Sequence, residues 1–175
     1  TIADNALKIL NDTGLSDQNG GKGSRLLNGN HDLFFKTESF LADTHESESA
    51  LIYNSGYTAN IGLLTAVLSR NNVVIYDELI HASLRDAIQF SYAKSYKFSH
   101  NRTDDLEQKL KKAKAIHPDN TTYLVTEAVF SMDGDIALID DIKNLCLKYN
   151  VYLIIDEAHA TGTPVHKEIE KKIKD

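Results

Sequence analysis

The sequence has a single cysteine, Cys146, and no tryptophan. A lone thiol cannot close an internal disulfide, so the chain reads as one from a reducing compartment, with Cys146 as a small buried hydrophobe in an apolar-periodic helix. No apolar run approaches the roughly 20 residues a membrane helix needs, and the first residues do not resemble a signal peptide. No membrane span is expected, and the cytoplasm is the expected location. Lys and Arg number 19 against 25 Asp and Glu, for a net charge of -6; phosphate-backbone binding needs a basic face, so nucleic acid is not the expected partner. The 7 histidines show no ligand-spaced cluster, so no metal site is expected. Internal repeats and low-complexity linkers are also missing.

What the sequence does have, over 175 residues, is the length for one domain with a sizeable core and an alternation of short β-branched runs with helical patterns. Ala3 to Leu10 has helical spacing and gives way to a Gly/Asn/Asp/Ser loop from Asn11 to Gly23. Asp32 caps a second helix whose apolar stripe is Leu33, Phe34, Thr37, Phe40 and Leu41. Ala50 to Tyr53 reads as a short strand, followed by a helix over 58–68. Strands over 73–76, 96–98, 121–126 and 151–155 alternate with helices over 82–90, 104–115 and 139–149. The tail from His166 to Asp175 reads as a solvated helix or frayed end. Such alternation builds βαβ units, and hence an α/β fold with a mostly parallel sheet covered on both faces.

In parallel sheets ligands gather beyond the carboxyl ends of the strands. Four predicted strands end in polar groups: Asn54-Ser55-Gly56-Tyr57 after the first, Asp77 and His81 after the second, Glu127 and Ser131 after the third, and Asp156 and His159 after the last. Ser55, Gly56 and Tyr57 lie between a strand and a helix, where backbone N–H groups form a phosphate cradle. Asp156, if buried, needs a cation, and a protonated heterocyclic nitrogen would satisfy it. His81 or Tyr57 could supply an aromatic platform for such a ring. Phosphate, ring and carboxylate together describe pyridoxal 5'-phosphate (PLP).

The segments Gly23 to Gly29 (GSRLLNG), Tyr53 to Asn60 (YNSGYTAN), Glu78 to Asp86 (ELIHASLRD), Val125 to Ala137 (VTEAVFSMDGDIA) and Ile154 to Gly162 (IIDEAHATG) resemble, in order, the motifs of the α-oxoamine synthase family. These are fold-type-I PLP enzymes that condense an amino acid with an acyl-CoA, or an acyl-carrier-protein thioester, with loss of CO2. The resemblance implies a three-layer sandwich and a homodimer. It also implies that Gly56 and Tyr57 hold the phosphate, that His81 stacks on the ring, that Ser131 and His159 contact the phenolic oxygen region, and that Asp156 pairs with the pyridine nitrogen. Glu127 would support the site, and Arg25 would lie near the substrate or in a salt bridge. Residues 1–165 would form part of the cofactor-binding large domain and 166–175 a polar tail. The family usually has a histidine where Phe34 aligns, with His31 falling earlier. Its Schiff-base lysine is expected downstream of the Asp-Glu-Ala-His segment, and Lys167, Lys171, Lys172 and Lys174 have no matching context. The chain is therefore expected to be a central piece of the large domain, inactive by itself.

Two other classes compete. Asp156-Glu157-Ala158-His159 also spells the acidic box of certain nucleic-acid helicases, which handles Mg2+ in ATP hydrolysis. A phosphate loop should precede it, but Gly20-Gly21-Lys22-Gly23-Ser24 sets glycine between Lys and Ser and follows no strand. A noncatalytic interaction module would leave the polar residues at several strand ends without a common purpose.

Overall fold

The computed structural model describes residues 1–15, 21, 23–164 and 166–174. The chain forms two compact units, Thr1–Ile52 and Tyr53–Asp175. The first unit holds α1 (Ile2–Asp12) and α2 (Asp32–Thr44). Thr1 and Asp4 form a reciprocal capping box at the start of α1. Helix α1 runs past the predicted end at Leu10, so the loop begins at Thr13. Gly20 and Lys22 of the near-match to a phosphate loop lie outside the described residues.

The predicted strand over 50–53 does not form. The backbone groups that a ladder would have used are taken by side chains instead. The Ile52 N–H donates to Glu38 Oε1 at 2.8 Å, and the Ile52 carbonyl accepts from Arg25 Nη1 at 3.2 Å. With the polar groups of Ile52 satisfied locally, that residue has no need of a neighbouring strand. Leu51 remains exposed.

The second unit is an α/β sheet domain. Its strands are β1 (Val73–Asp77), β2 (Lys94–Phe98), β3 (Thr122–Glu127) and β4 (Tyr152–Asp156), in the order β2-β1-β3-β4 and all parallel. Helices α3 (Gly56–Val67), α4 (Ala82–Ser91), α5 (Thr103–Ile116), α6 (Ile139–Tyr149) and α7 (His166–Lys174) complete it. Val73, Val74, Ile75, Leu124 and Val125 are fully buried, as central parallel strands covered on both faces require. Leu84, Ile88, Leu106, Leu110, Ile142 and Cys146 pack on them from the helices. Each of these side chains stabilises the fold by about 1.5–3 kcal/mol relative to remaining exposed.

Two elements depart from expectation. Strand β2 starts at Lys94 instead of Tyr96, because pairing with β1 carries the exposed residues Lys94 and Ser95 into the ladder. The tail is more than a solvated helix: Ile169 of α7 is buried against Ala128 and Ala160, and Lys172 pairs with Asp140 at 3.4 Å. The expected domain boundary at residue 165 lies outside the described residues.

Candidate functional site

Parallel pairing carries the predicted polar residues of the second unit to one edge. Glu127 and Asp156 are register partners at the ends of β3 and β4, and His81 follows β1 through a turn in which the Ile80 N–H bonds the Asp77 carbonyl at 3.2 Å. Gly56, Tyr57, Asn60, His81, Glu127, Asp156 and His159 all line one cavity, together with Ser83 and Ala158. Its volume is about 100 Å³. Pockets that enclose a small-molecule ligand run to roughly 300–1,000 Å³, so this cavity is too small to enclose one by itself. A larger hollow of about 380 Å³ lies along α6 and β4, but its lining is mostly aliphatic, with Lys143 and Glu157 the charged members. It lacks the convergent polar groups of the smaller one.

Ser55 is the N-cap of α3, accepting the Thr58 N–H on its hydroxyl at 3.1 Å, while its carbonyl accepts from Ala59 at 3.0 Å. The N–H groups of Gly56 and Tyr57 are left at the helix mouth, where the macrodipole favours an anion. A Cβ built on Gly56 would meet nothing within 4 Å, so the space beside it is open to a ligand. The Tyr57 hydroxyl donates to Asp86 at 2.8 Å, which ties α3 to α4 and raises the phenol's pKa.

Asp156 is divided between two partners. Oδ1 accepts the Ala158 N–H at 2.9 Å and caps the turn, while Oδ2 accepts from Asn60 Nδ2 at 2.8 Å. Glu127 is almost fully buried. Burial pushes its carboxyl above the ordinary range; the His81 N–H, donating to Oε1 at 2.6 Å, pulls the other way, and the Asp156 charge adds to the rise. Glu127 thus holds the His81 backbone N–H at the end of β3.

Three predicted residues, Ser55, Ser131 and Arg25, are not among the residues that line this cavity. Ser131 is exposed on the turn after β3, and its backbone bonds Glu127. Arg25, in the first unit, makes a bidentate pair with Glu38 at 2.6 and 2.9 Å and stacks over Phe34 at 4.3 Å. That is the salt-bridge role.

Asn60 and Ser83 were not singled out from the sequence. Asn60 stands one helical turn beyond Gly56, which puts both on one face of α3; that spacing was the available signal. His100 was also missed. Its Nδ1 lies 2.9 Å from Asp77 Oδ1 and its Nε2 bonds Asp135. Burial opposes charge on the ring, but the Asp135 and Asp77 carboxylates outweigh it and raise the pKa. Asp135 lies at the base of the turn that carries Ser131, closed by a Val129–Ile136 bridge. No sequence signal joins residues so far apart.

Residues 11–172 match the family described as aminotransferase class I and II. An inferred 8-amino-7-oxononanoate synthase of Geobacillus kaustophilus is 45% identical over 143 residues, covering 82% of this chain and 36% of that protein. Among solved structures, a serine palmitoyltransferase of S. paucimobilis superposes with a TM-score of 0.84 at 27% identity, covering 96% of this chain and 44% of that one. An 8-amino-7-oxononanoate synthase of Francisella tularensis superposes at 0.65 with 25% identity, covering 90% and 40%. The chain spans about a third of the length of the curated relatives it matches.

Proposed function

The chain belongs to the aminotransferase class I and II family, and on that premise we propose that it forms the central part of the large domain of a PLP-dependent α-oxoamine synthase. The reaction is condensation of an amino acid with an acyl-CoA, with decarboxylation. The observation that carries the reading is the single cavity wall shared by the α3 mouth, His81 and Asp156. Its residues suit the cofactor: helix N–H groups for a phosphate, open space beside Gly56, and a carboxylate for a protonated ring nitrogen.

The chemistry PLP supplies when bound is that of an electron sink for a substrate carbanion. Asp156 holds the proton on the ring nitrogen by charge-assisted pairing. Gly56 and Tyr57 would anchor the phosphate through their backbone, His81 would stack on the ring, and His159 would orient the phenolic oxygen; Ser131, exposed on its turn, would reach that oxygen only from outside the present cavity. Glu127 fixes His81 from behind. Asp156 and His81 are the groups whose loss would affect chemistry most.

The specific activity proposed is that of 8-amino-7-oxononanoate synthase in biotin synthesis, using L-alanine and pimeloyl-CoA or its carrier-protein thioester, in a cytoplasmic homodimer. Sequence identity of 45% to a relative of that name supports it. Serine palmitoyltransferase is the second reading, favoured by the better superposition at 0.84. Sequence weighs more, because substrate choice follows side chains whereas superposition follows the shared backbone. 2-Amino-3-ketobutyrate CoA ligase stands behind both. The test is to assay the full-length protein with alanine, serine and glycine against short and long acyl-CoA thioesters. Alanine with pimeloyl thioester is the expected preference, and serine with palmitoyl-CoA would sink it.

A further inference from the structure

Four side chains of the site form one unbroken hydrogen-bonded line. Asn60 Nδ2 donates to Asp156 Oδ2 at 2.8 Å and to Ser83 Oγ at 3.0 Å. Ser83 Oγ lies 2.7 Å from His81 Nδ1, and the Ser83 backbone N–H donates to that same nitrogen at 3.2 Å.

The direction of every bond is forced from the carboxylate end. An ionised carboxylate only accepts, so Asn60 must turn its NH2 group toward Asp156, and the amide orientation follows. The second hydrogen of that NH2 goes to Ser83 Oγ. The hydroxyl hydrogen of Ser83 is then left for His81 Nδ1. The backbone points to the same result, because His81 is the N-cap of α4 and uses Nδ1 as the capping acceptor. Caps are ordinarily Ser, Thr, Asp or Asn, whose oxygens accept without any tautomer being chosen. A histidine can cap through Nδ1 only while that nitrogen holds a lone pair. Two donors therefore converge on Nδ1, and the neutral ring carries its proton on Nε2.

The geometry points to Asn60 and Ser83 as positioning residues through which the charge of Asp156 fixes His81 as the Nε2–H tautomer. His81 then offers a proton, and not a lone pair, at Nε2 to a group bound in the cavity. The identity of that group rests on the proposed function; the tautomer does not. Two groups of the proposed cofactor site, Asp156 and His81, would thus be set by one network, so that loss of either middle residue changes the tautomer of His81.

The experiment is long-range ¹H–¹⁵N correlation of the histidine rings in the ¹⁵N-labelled protein at pH ~8, above the ordinary histidine range. The His81 signals are assigned by their loss in His81→Gln. In the wild type Nδ1 should show the shift of an unprotonated ring nitrogen and Nε2 that of a protonated one, with the Nε2–H form in excess by about tenfold, the ratio one net hydrogen bond supports. Ser83→Ala and Asn60→Leu should each reduce that excess severalfold, an effect that a purely structural role would not produce. A wild-type His81 carrying its proton on Nδ1 overturns the inference, as does a ratio unmoved in both variants. An Nδ1–H form in the wild type overturns the inference even if neither variant folds. PLP titration of the full-length protein separates the two readings: absence of binding there removes the proposed function and leaves the tautomer result standing.

Discussion

Replacing Asp156 by asparagine tests the proposed site with little disturbance to the fold. On one side of the residue nothing is lost, because the new amide oxygen still accepts the Ala158 N–H that Oδ1 holds at 2.9 Å. On the other side the new NH2 would face the NH2 of Asn60, now 2.8 Å from Oδ2. Asn60 can turn its amide over and present its oxygen, so the net change is about one hydrogen bond, roughly 0.5–1.5 kcal/mol. For a domain of this size that lowers the melting temperature by a few degrees. The effect on cofactor binding is larger. A charge-assisted hydrogen bond to a protonated ring nitrogen is worth about 1.5–3 kcal/mol, which at about 1.4 kcal/mol per decade weakens PLP binding by roughly 10- to 150-fold. Titration of PLP followed by absorbance measures this, with a thermal melt of the same samples. A variant that binds PLP within about twofold of wild type refutes the assignment of Asp156 to the ring nitrogen. The amide reversal at Asn60 also removes the reason for Ser83 to donate to His81, so Asp156→Asn should shift the His81 tautomer in the same direction as Asn60→Leu.

Two further predictions concern the framework. The pKa of His100 lies above its ordinary 6.5, so the stability contributed by its charge between Asp77 and Asp135 is full below about pH 6.5 and is lost as the pH rises through the raised value. Melting temperatures of wild type and His100→Gln should therefore differ most near pH 6 and converge toward pH 9, and a gap constant with pH would contradict the charged-ring reading. Burial pushes the Cys146 thiol up to about 12. Alkylation by iodoacetamide at pH ~8 should be slow in the folded protein and fast in denaturant, since the thiolate is the nucleophile; rapid labelling of folded protein would place Cys146 outside the core.

The apolar runs over 73–76 and 121–126 pointed by themselves to the two central strands, because a strand buried on both faces is mostly apolar; the run over 151–155 marked β4, although that edge strand is only partly buried. Those runs also determined that His81, Glu127 and Asp156 would stand together, since parallel strands deliver their carboxyl ends to one edge. Strand β2 was only half legible. At the sheet edge Lys94 and Ser95 stay exposed, and they are strand because β1 offers a ladder there. Ala50 to Tyr53 shows the converse, a strand-like run whose backbone groups at Ile52 are claimed by Arg25 and Glu38. Composition can show that a segment is extended, but not which donor reaches it first. The line from Asp156 through Asn60 and Ser83 to His81 belongs wholly to the tertiary structure. Asn60 and Asp156 are 96 residues apart, and hydrogen bonds, unlike hydrophobic periodicity, leave no repeat in the sequence. They depend on a few tenths of an ångström that only the packing of α3 and α4 at the ends of the strands sets.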